Sequence, residues 1–352
     1  MTAQELPFAE LAPGYHIPRI VRGGWQLAGD HGEVDRERAL KDIGAFVAAG
    51  LNTVDGADIY TGVEALYGEF NARRREIGLP GLQVHTKCVP DIDDLARVDA
   101  AYLRRIVERS LQRLQVQRLD LVQFHWWDMS VPGCVEAALA LADLQREGLI
   151  AHLGGTNFDT PHTTALLDAG VPLVSMQLQY SLLDRRPEHG FVAMALQRGV
   201  QLLCYGTLAG GFFDERWLGA PEPGLSPDNT LTNRSLIKYK LVIDDFGGWQ
   251  AFQELLSVLE QIADRHGVGI ATVATRWVLD RPGVAAAIVG ARYANHLHDT
   301  LAVLTLQLDA QDHALLEPVL ARHAGMAGDT YALERDRNGR HGRIMKYNLN
   351  KA

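Results

Sequence analysis

Residues 82–125 open with LQVHTK (Leu82–Lys87) and close with LDLVQFH (Leu119–His125), two short runs rich in apolar and β-branched residues. Between them, Leu103, Ile106, Val107, Leu111 and Leu114 recur at helical spacing and form one apolar stripe. The segment reads as strand, helix, strand. A crossover of this length joins parallel neighbours, whereas a tight turn would have signalled a hairpin.

The unit repeats in both directions. Upstream come a hairpin at Phe8–Pro18 and strands at Ile20–Gly24 and Asn52–Asp55, with a helix between them carrying Leu40, Ile43 and Val47 and ending at Gly50. Downstream lie Ile150–Asn157, Leu173–Gln179, Val200–Gly206 and Val284–Gly290. A third helical stripe, Phe252, Leu255, Leu256, Leu259 and Ile262, closes at Gly267. Eight runs in strict β-then-α order predict an α/β fold, a (β/α)8 TIM barrel with an N-terminal hairpin and long loops at its C-terminal mouth. A doubly wound sheet is the competitor, but its G-x-G-x-x-G turn is poorly matched by GGWQLAGDHG after the first strand. The whole chain, 1–352, is expected to be one domain, with a core at about 19–324 and a C-terminal tail at 325–352.

Composition fits this reading. Hydrophobic residues make up 47% of the 352 and charged ones 22%, enough for a large core. The 34 basic and 43 acidic side chains leave a charge of −9, which favours neither nucleic acid nor an anionic membrane. Cys88, Cys134 and Cys204 form no CxxC pair, and no secretory leader or membrane-length apolar run stands out, so a reduced, soluble, cytoplasmic protein is expected. Two stretches fall outside the repeat. Phe213–Gln250 is Gly-, Pro- and Asn-rich and reads as a long binding loop or lid. The tail carries Arg335, Arg337, Arg340, Arg343 and Lys346, and is expected to lie on the surface.

A barrel of this type works at the mouth where its strands end. Asp55, Lys87, His125 and Asn157 end the second to fifth strands, Gln177 lies near the end of the sixth, and Tyr205 near the end of the seventh. Three titratable groups on adjacent strands would share one semi-buried space. Cys88, one residue beyond Lys87, turns to the opposite face and is expected to pack against the helices.

These segments resemble the aldo-keto reductases. D-G-A-D-I-Y (Asp55–Tyr60), Lys87 in VHTK, His125 in LVQFHWWD, GGTNF (Gly154–Phe158), VSMQLQYS (Val174–Ser181), CYGTLAGGFF (Cys204–Phe213) and IVGARYANHLHDTL (Ile288–Leu301) are similar to that family's motifs in the same order. The resemblance implies a nicotinamide-dependent oxidoreductase interconverting carbonyls and alcohols, with Tyr60 as proton donor, Lys87 as its perturbing cation, Asp55 as the partner of Lys87, and His125 as the residue orienting the substrate oxygen. A nearby ammonium is expected to lower the phenol's pKa.

For the cofactor, the resemblance implies Thr156, Asn157 and Gln177 at the carboxamide and Tyr205 stacked on the nicotinamide. Gly206, Thr207, Leu208, Gly210 and Gly211 would serve the pyrophosphate. Gly24, Trp25, Gly290, Arg292, His296, Asp299 and Thr300 complete the expected set. The adenosine end departs from the usual pattern at Gly290, Ala291, His296 and Asp299, so NADPH is favoured through Arg292 while NADH stays open. The substrate is expected to meet Trp25, Asp30, His31, Trp126, Trp127 and Asp128, with Phe212 and Phe213 walling the mouth, a set suited to a sugar-like or other hydroxylated compound. Two other classes compete. One is a cofactor-binding regulatory subunit, like the β subunits of potassium channels, whose inactivating N-terminal arm has no counterpart here. The other is a metal hydrolase, for which the 13 histidines offer no H-x-H pair at a strand end, so no metal is expected.

Overall fold

The structure, a computed structural model, describes residues 6–28, 34–224 and 230–350. An antiparallel hairpin, β1 (Phe8–Ala12) and β2 (Tyr15–Pro18), precedes β3 (Ile20–Gly23), helix α1 (Arg36–Ala48), β4 (Thr53–Asp55), α2 (Val63–Glu76), β5 (Gln83–Cys88), α3 (Ala100–Leu114) and β6 (Leu119–Phe124). Then come α4 (Cys134–Arg146), β7 (Ile150–Thr156), α5 (Thr160–Asp168), β8 (Leu173–Gln179), α6 (Phe191–Arg198) and β9 (Gln201–Tyr205). The chain continues through α7 (Arg234–Phe246), α8 (Gly248–His266), α9 (Ile270–Leu279), β10 (Val284–Gly290), α10 (Leu297–Thr305), α11 (Ala310–Arg322) and α12 (Ala332–Arg335). Strands β3 to β10 close a parallel barrel in sequence order, β10 returning to pair with β3. Each expected strand is present within one residue of its reading at either end.

Local chemistry sets the helix starts. Asp35, Asp99 and Asp159 cap α1, α3 and α5, each accepting a backbone N–H of the first turn. The apolar stripes then face the strands: Leu103, Ile106, Val107 and Leu114 of α3 are buried, as are Phe252, Leu255, Leu256, Leu259 and Ile262 of α8. Each such side chain contributes roughly 1.5–3 kcal/mol of burial free energy. Cys88 is fully buried in this outer layer, on the face that alternation assigns to it.

A second apolar cluster fills the barrel. Val21, Leu121, Leu203, Ala286 and Ile288 point inward and meet Leu11 and Ile17 of the hairpin, which plugs the N-terminal end. At that floor Tyr15 Oη lies 3.1 Å from His85 Nε2 and its ring stacks on His152 at 4.6 Å. With the floor sealed, the polar residues concentrate at the opposite end.

Both stretches outside the repeat differ from expectation. The segment 213–250 contains α7, capped by Asn233, whose side chain accepts from Ser235 and Leu236 N–H, and the start of α8. Phe212 and Phe213 do not wall the mouth; they are buried with Trp217, Trp249 and Phe252, because α8 offers them an apolar face. The tail does not lie free on the surface. It folds back over the mouth, held by a buried cluster in which Arg186 bonds Asp184 and Glu334 (2.7 and 2.9 Å). Asn350 and Leu349 N–H groups close its far end on Asp91, each at 2.9 Å.

Candidate active site

Parallel strands aim alternate side chains at the barrel axis, and at the C-terminal ends these residues meet. Asp55 closes β4, Lys87 is the penultimate residue of β5, and His125 follows β6. Lys87 Nζ lies 2.8 and 2.7 Å from the two Asp55 oxygens and 2.8 Å from the Gly56 carbonyl, so its three protons are all engaged. Both side chains of this pair are only 6% exposed. Gln123, directly opposite Lys87 in the β5–β6 register, donates to Asp55 Oδ1 at 3.1 Å. Gln177 donates to the same oxygen at 2.6 Å and to Gln123 Oε1 at 3.0 Å. The carboxylate is thereby fully satisfied, which offsets the cost of burying it.

Tyr60 packs on Trp25 with ring centroids 5.0 Å apart, and Lys87 Nζ sits 5.0 Å from the centre of the phenol ring. Its pKa is raised well above the ordinary value, first by burial and then by Asp55 and Asp58. This corrects the expectation that Lys87 lowers it. The ammonium is neutralised by Asp55, so desolvation prevails and the phenol holds its proton.

His125 Nδ1 lies 2.9 Å from the Thr156 carbonyl. A carbonyl only accepts, so Nδ1 carries hydrogen. Burial, then the charge of Arg335, push the imidazole down to about 3, the Thr156 bond opposing and Lys87 adding a smaller effect. The ring is neutral, and Nε2 is a lone-pair acceptor, buried and without a protein partner. Trp127 and Tyr331 fix the ring edge-on at 4.4 and 5.7 Å.

These groups line one cavity of about 770 Å³. Of the expected cofactor residues, Trp25, Thr156, Asn157, Gln177, Tyr205, Gly206, Thr207, Leu208, Gly210, Gly211, Gly290 and Arg292 line it as well. Tyr205 donates to Asn157 Oδ1 at 2.8 Å, leaving the Asn157 amide N–H groups as donors, while Gln177 has spent N–H groups on Asp55 and Gln123 and keeps its carbonyl oxygen as acceptor. Asn157 itself sits at φ 62°, a strained position for a non-glycine residue that aims its side chain into the site. A Cβ at Gly206 would fall 2.4 Å from Tyr239 Oη, and one at Gly210 2.5 Å from the Tyr239 ring. Glycine here lets α7 close onto the loop after β9.

Other expected residues lie elsewhere. Gly24 is behind the cavity, where a Cβ would strike the Asp55 carbonyl at 2.6 Å. His296 and Asp299 are exposed near the start of α10, and Thr300 is buried against the His296 carbonyl, so none of the three lines the cavity. Trp126 points into the outer core and donates to the Val131 carbonyl, and Asp128 binds Ser130; neither reaches the cavity. Trp127 does line it. Asp30 and His31 lie outside the described residues.

Several lining residues escaped the sequence reading. Gln123, which lies beneath the cavity and bonds Asp55, also escaped it, although it carried a signal, sitting two residues before His125 on the same face of the strand. Arg234, Ser235 and Lys238 project from α7, within the segment read as loop, and Lys238 Nζ stands 5.1 Å from the Tyr205 ring centre. Tyr331, Met345, Lys346 and Leu349 come from the tail. The lining thus combines an amide donor, an amide acceptor, glycine-rich backbone and four cationic side chains besides Lys87, a donor set that fits a nicotinamide dinucleotide. Among the described residues His266, Asp309 and Asp312 converge, but Arg265 already pairs with both carboxylates. No described helix is long and apolar enough to cross a membrane.

The fold and sequence have counterparts among known proteins. The family model "Aldo/keto reductase family" matches residues 19–321. The aldo-keto reductase YhdN of Bacillus subtilis is 27% identical over 327 residues, covering 87% of this chain and 91% of that protein. The NADH-specific methylglyoxal reductase of Escherichia coli is 25% identical over 324 residues, covering 85% and 94%. A match to flagellar radial spoke protein 5 of Chlamydomonas reinhardtii, 27% identical, spans 64% of this chain and only 49% of that protein. Among solved structures, the glycerol dehydrogenase of Gluconobacter oxydans superposes with a TM-score of 0.74 at 25% identity, covering 94% of this chain and 98% of its own. The chain belongs to the aldo/keto reductase family, NAD(P)-dependent oxidoreductases built on a (β/α)8 barrel.

Proposed function

We propose that the protein reduces a hydroxylated aldehyde or ketone with NADPH, using Tyr60 as proton donor. The observation that carries this reading is the convergence of Asp55, Tyr60, Lys87 and His125 on the cavity that also presents the Asn157 and Gln177 amides. When bound, the cofactor supplies a hydride. Asn157 N–H and Gln177 Oε1 would hold its carboxamide and fix which face is presented, and Tyr205 would support the ring. Arg234, Lys238 and Arg292 would neutralise its phosphates, Arg292 being the residue assigned to a 2′-phosphate, so that NADPH is preferred over NADH.

The protonated Tyr60 hydroxyl donates to the carbonyl oxygen and gives up its proton as negative charge develops there. The phenolate left behind lies beside the Lys87 ammonium, which stabilises it only at that stage. His125 Nε2 accepts a hydrogen bond, so its complement on the substrate is a hydroxyl. One donor and one acceptor between the aromatic walls of Trp25, Trp127 and Tyr331 suit a carbonyl flanked by a hydroxyl group. The test is NADPH consumption by the purified protein across a panel of aldehydes and ketones with and without an adjacent hydroxyl. Turnover favouring the hydroxylated members is expected. Cofactor binding without turnover of any of them would contradict the reading and favour a regulatory subunit.

A further inference from the structure

The C-terminal tail does more than roof the cavity. Arg335, at the end of α12, donates from Nη1 to the carbonyls of Trp126 (2.9 Å) and Trp127 (3.2 Å) and from Nη2 to that of Asn157 (2.6 Å). These carbonyls belong to the residues that directly follow His125 and Thr156. The Thr156 carbonyl in turn takes the Nδ1 hydrogen of His125. The guanidinium therefore ties the ends of β6 and β7 together at the spacing that fixes the imidazole.

Its charge acts on the same ring. Arg335 spends its hydrogen bonds on neutral carbonyls, so its field reaches His125 moderated only by the carboxylates of Asp159 and Glu334 nearby. The other groups facing the imidazole are Tyr331 from the tail, which is neutral, and Lys87 from β5, which Asp55 neutralises. The neighbouring Glu334, locked to Arg186, fixes the helical turn from which Arg335 projects.

We propose that Arg335 is a positioning residue of the reaction: from the tail it fixes His125 against Thr156 and places a positive charge beside the imidazole, so that Nε2 is presented as an acceptor to a substrate hydroxyl. The proposal rests on reading the cavity as a carbonyl-reducing site. It gives the basic tail a role in the chemistry rather than in packing alone.

The experiment measures kcat and KM of wild type, Arg335→Ala and Arg335→Lys with NADPH and a hydroxylated carbonyl, from acidic to neutral pH. Arg335→Ala should lose turnover on the order of 100-fold, as expected when a reacting group is misplaced by about 1 Å. The acidic limb of its kcat/KM should also move to higher pH than in wild type, as His125 rises from about 3 with burial alone left to hold it down. Added guanidinium should restore part of that turnover. Arg335→Lys keeps the charge without the fork, so it should lose kcat on the order of 10-fold with the limb unmoved. A uniform loss across pH that guanidinium does not rescue would show a packing role and overturn the proposal. If the alanine variant does not fold, wild-type kcat in Arg335→Lys overturns it instead. No wild-type turnover of any carbonyl would overturn the underlying reading, and the proposal with it.

Discussion

The Lys87 ammonium is held by both oxygens of Asp55, at 2.8 and 2.7 Å, with Gly56 O taking the third proton. An ion pair this buried is costly to break from one side, because the surviving charge has no solvent to turn to. Lys87→Met is expected to destabilise the fold by about 3–5 kcal/mol in urea denaturation, and Asp55→Asn to do likewise. The double variant should lose less than the sum, since it leaves no unpaired charge. Additive losses would mean that the two groups are not coupled.

Cofactor preference should follow Arg292, the basic residue of the loop after β10 that lines the cavity. Arg292→Ala should weaken NADPH by about 1.5–3 kcal/mol, the worth of a charge-assisted bond, and leave NADH nearly unchanged. Titration of cofactor fluorescence checks this. Equal losses for both cofactors would place the 2′-phosphate elsewhere.

Acid stability should reflect two buried histidines. Burial and Lys87 push His85 down to about 3, and burial and Arg335 do the same for His125. Above pH ~6.5 neither is charged in the folded or the unfolded chain. As pH falls below ~6.5 the unfolded chain takes up protons that the folded one refuses, so stability drops by about 1.4 kcal/mol per pH unit for each residue until pH 3. Denaturation midpoints across that window should shift toward lower urea, and less steeply in His85→Gln. An unchanged slope in that variant would contradict the assignment.

The tail's anchor is the Asp184–Arg186–Glu334 cluster. Although burial opposes it, Arg186 holds the Glu334 carboxyl down at about 2. The stabilisation is present above the unfolded glutamate's ~4.3 and fades as pH falls toward 2. Glu334→Ala leaves the buried Arg186 guanidinium with Asp184 as its one carboxylate partner and should cost about 3 kcal/mol. Trypsin should then cut at Arg335, Arg337 or Arg340, bonds that the wild-type tail protects. Equal cleavage rates in wild type and variant would show that the cluster does not hold the tail.

The barrel was legible because period-two and period-3.6 patterns alternate through the first seven strands and resume at the eighth, and the strand-end polar residues because each closes an apolar run. Trp126 and Trp127 were legible too, had alternation been carried past the strand: His125 in, Trp126 out, Trp127 in. The direction of the Tyr60 pKa shift was not, since it depends on Lys87 being fully engaged by Asp55 and Gly56. The tail was opaque for another reason. Arg335 meets carbonyls 178 to 209 residues away, and backbone acceptors leave no mark in side-chain identity. In α7, Lys238 was hidden by a Gly- and Pro-rich approach that reads as loop.

The central claim is that Tyr60 gives the proton that accompanies hydride transfer. It is tested most directly by kcat for a hydroxylated carbonyl in Tyr60→Phe beside wild type, with NADPH affinity measured on the same samples. The expected result is unchanged NADPH binding with kcat lower by about 100-fold or more. Wild-type kcat in the phenylalanine variant would contradict the account.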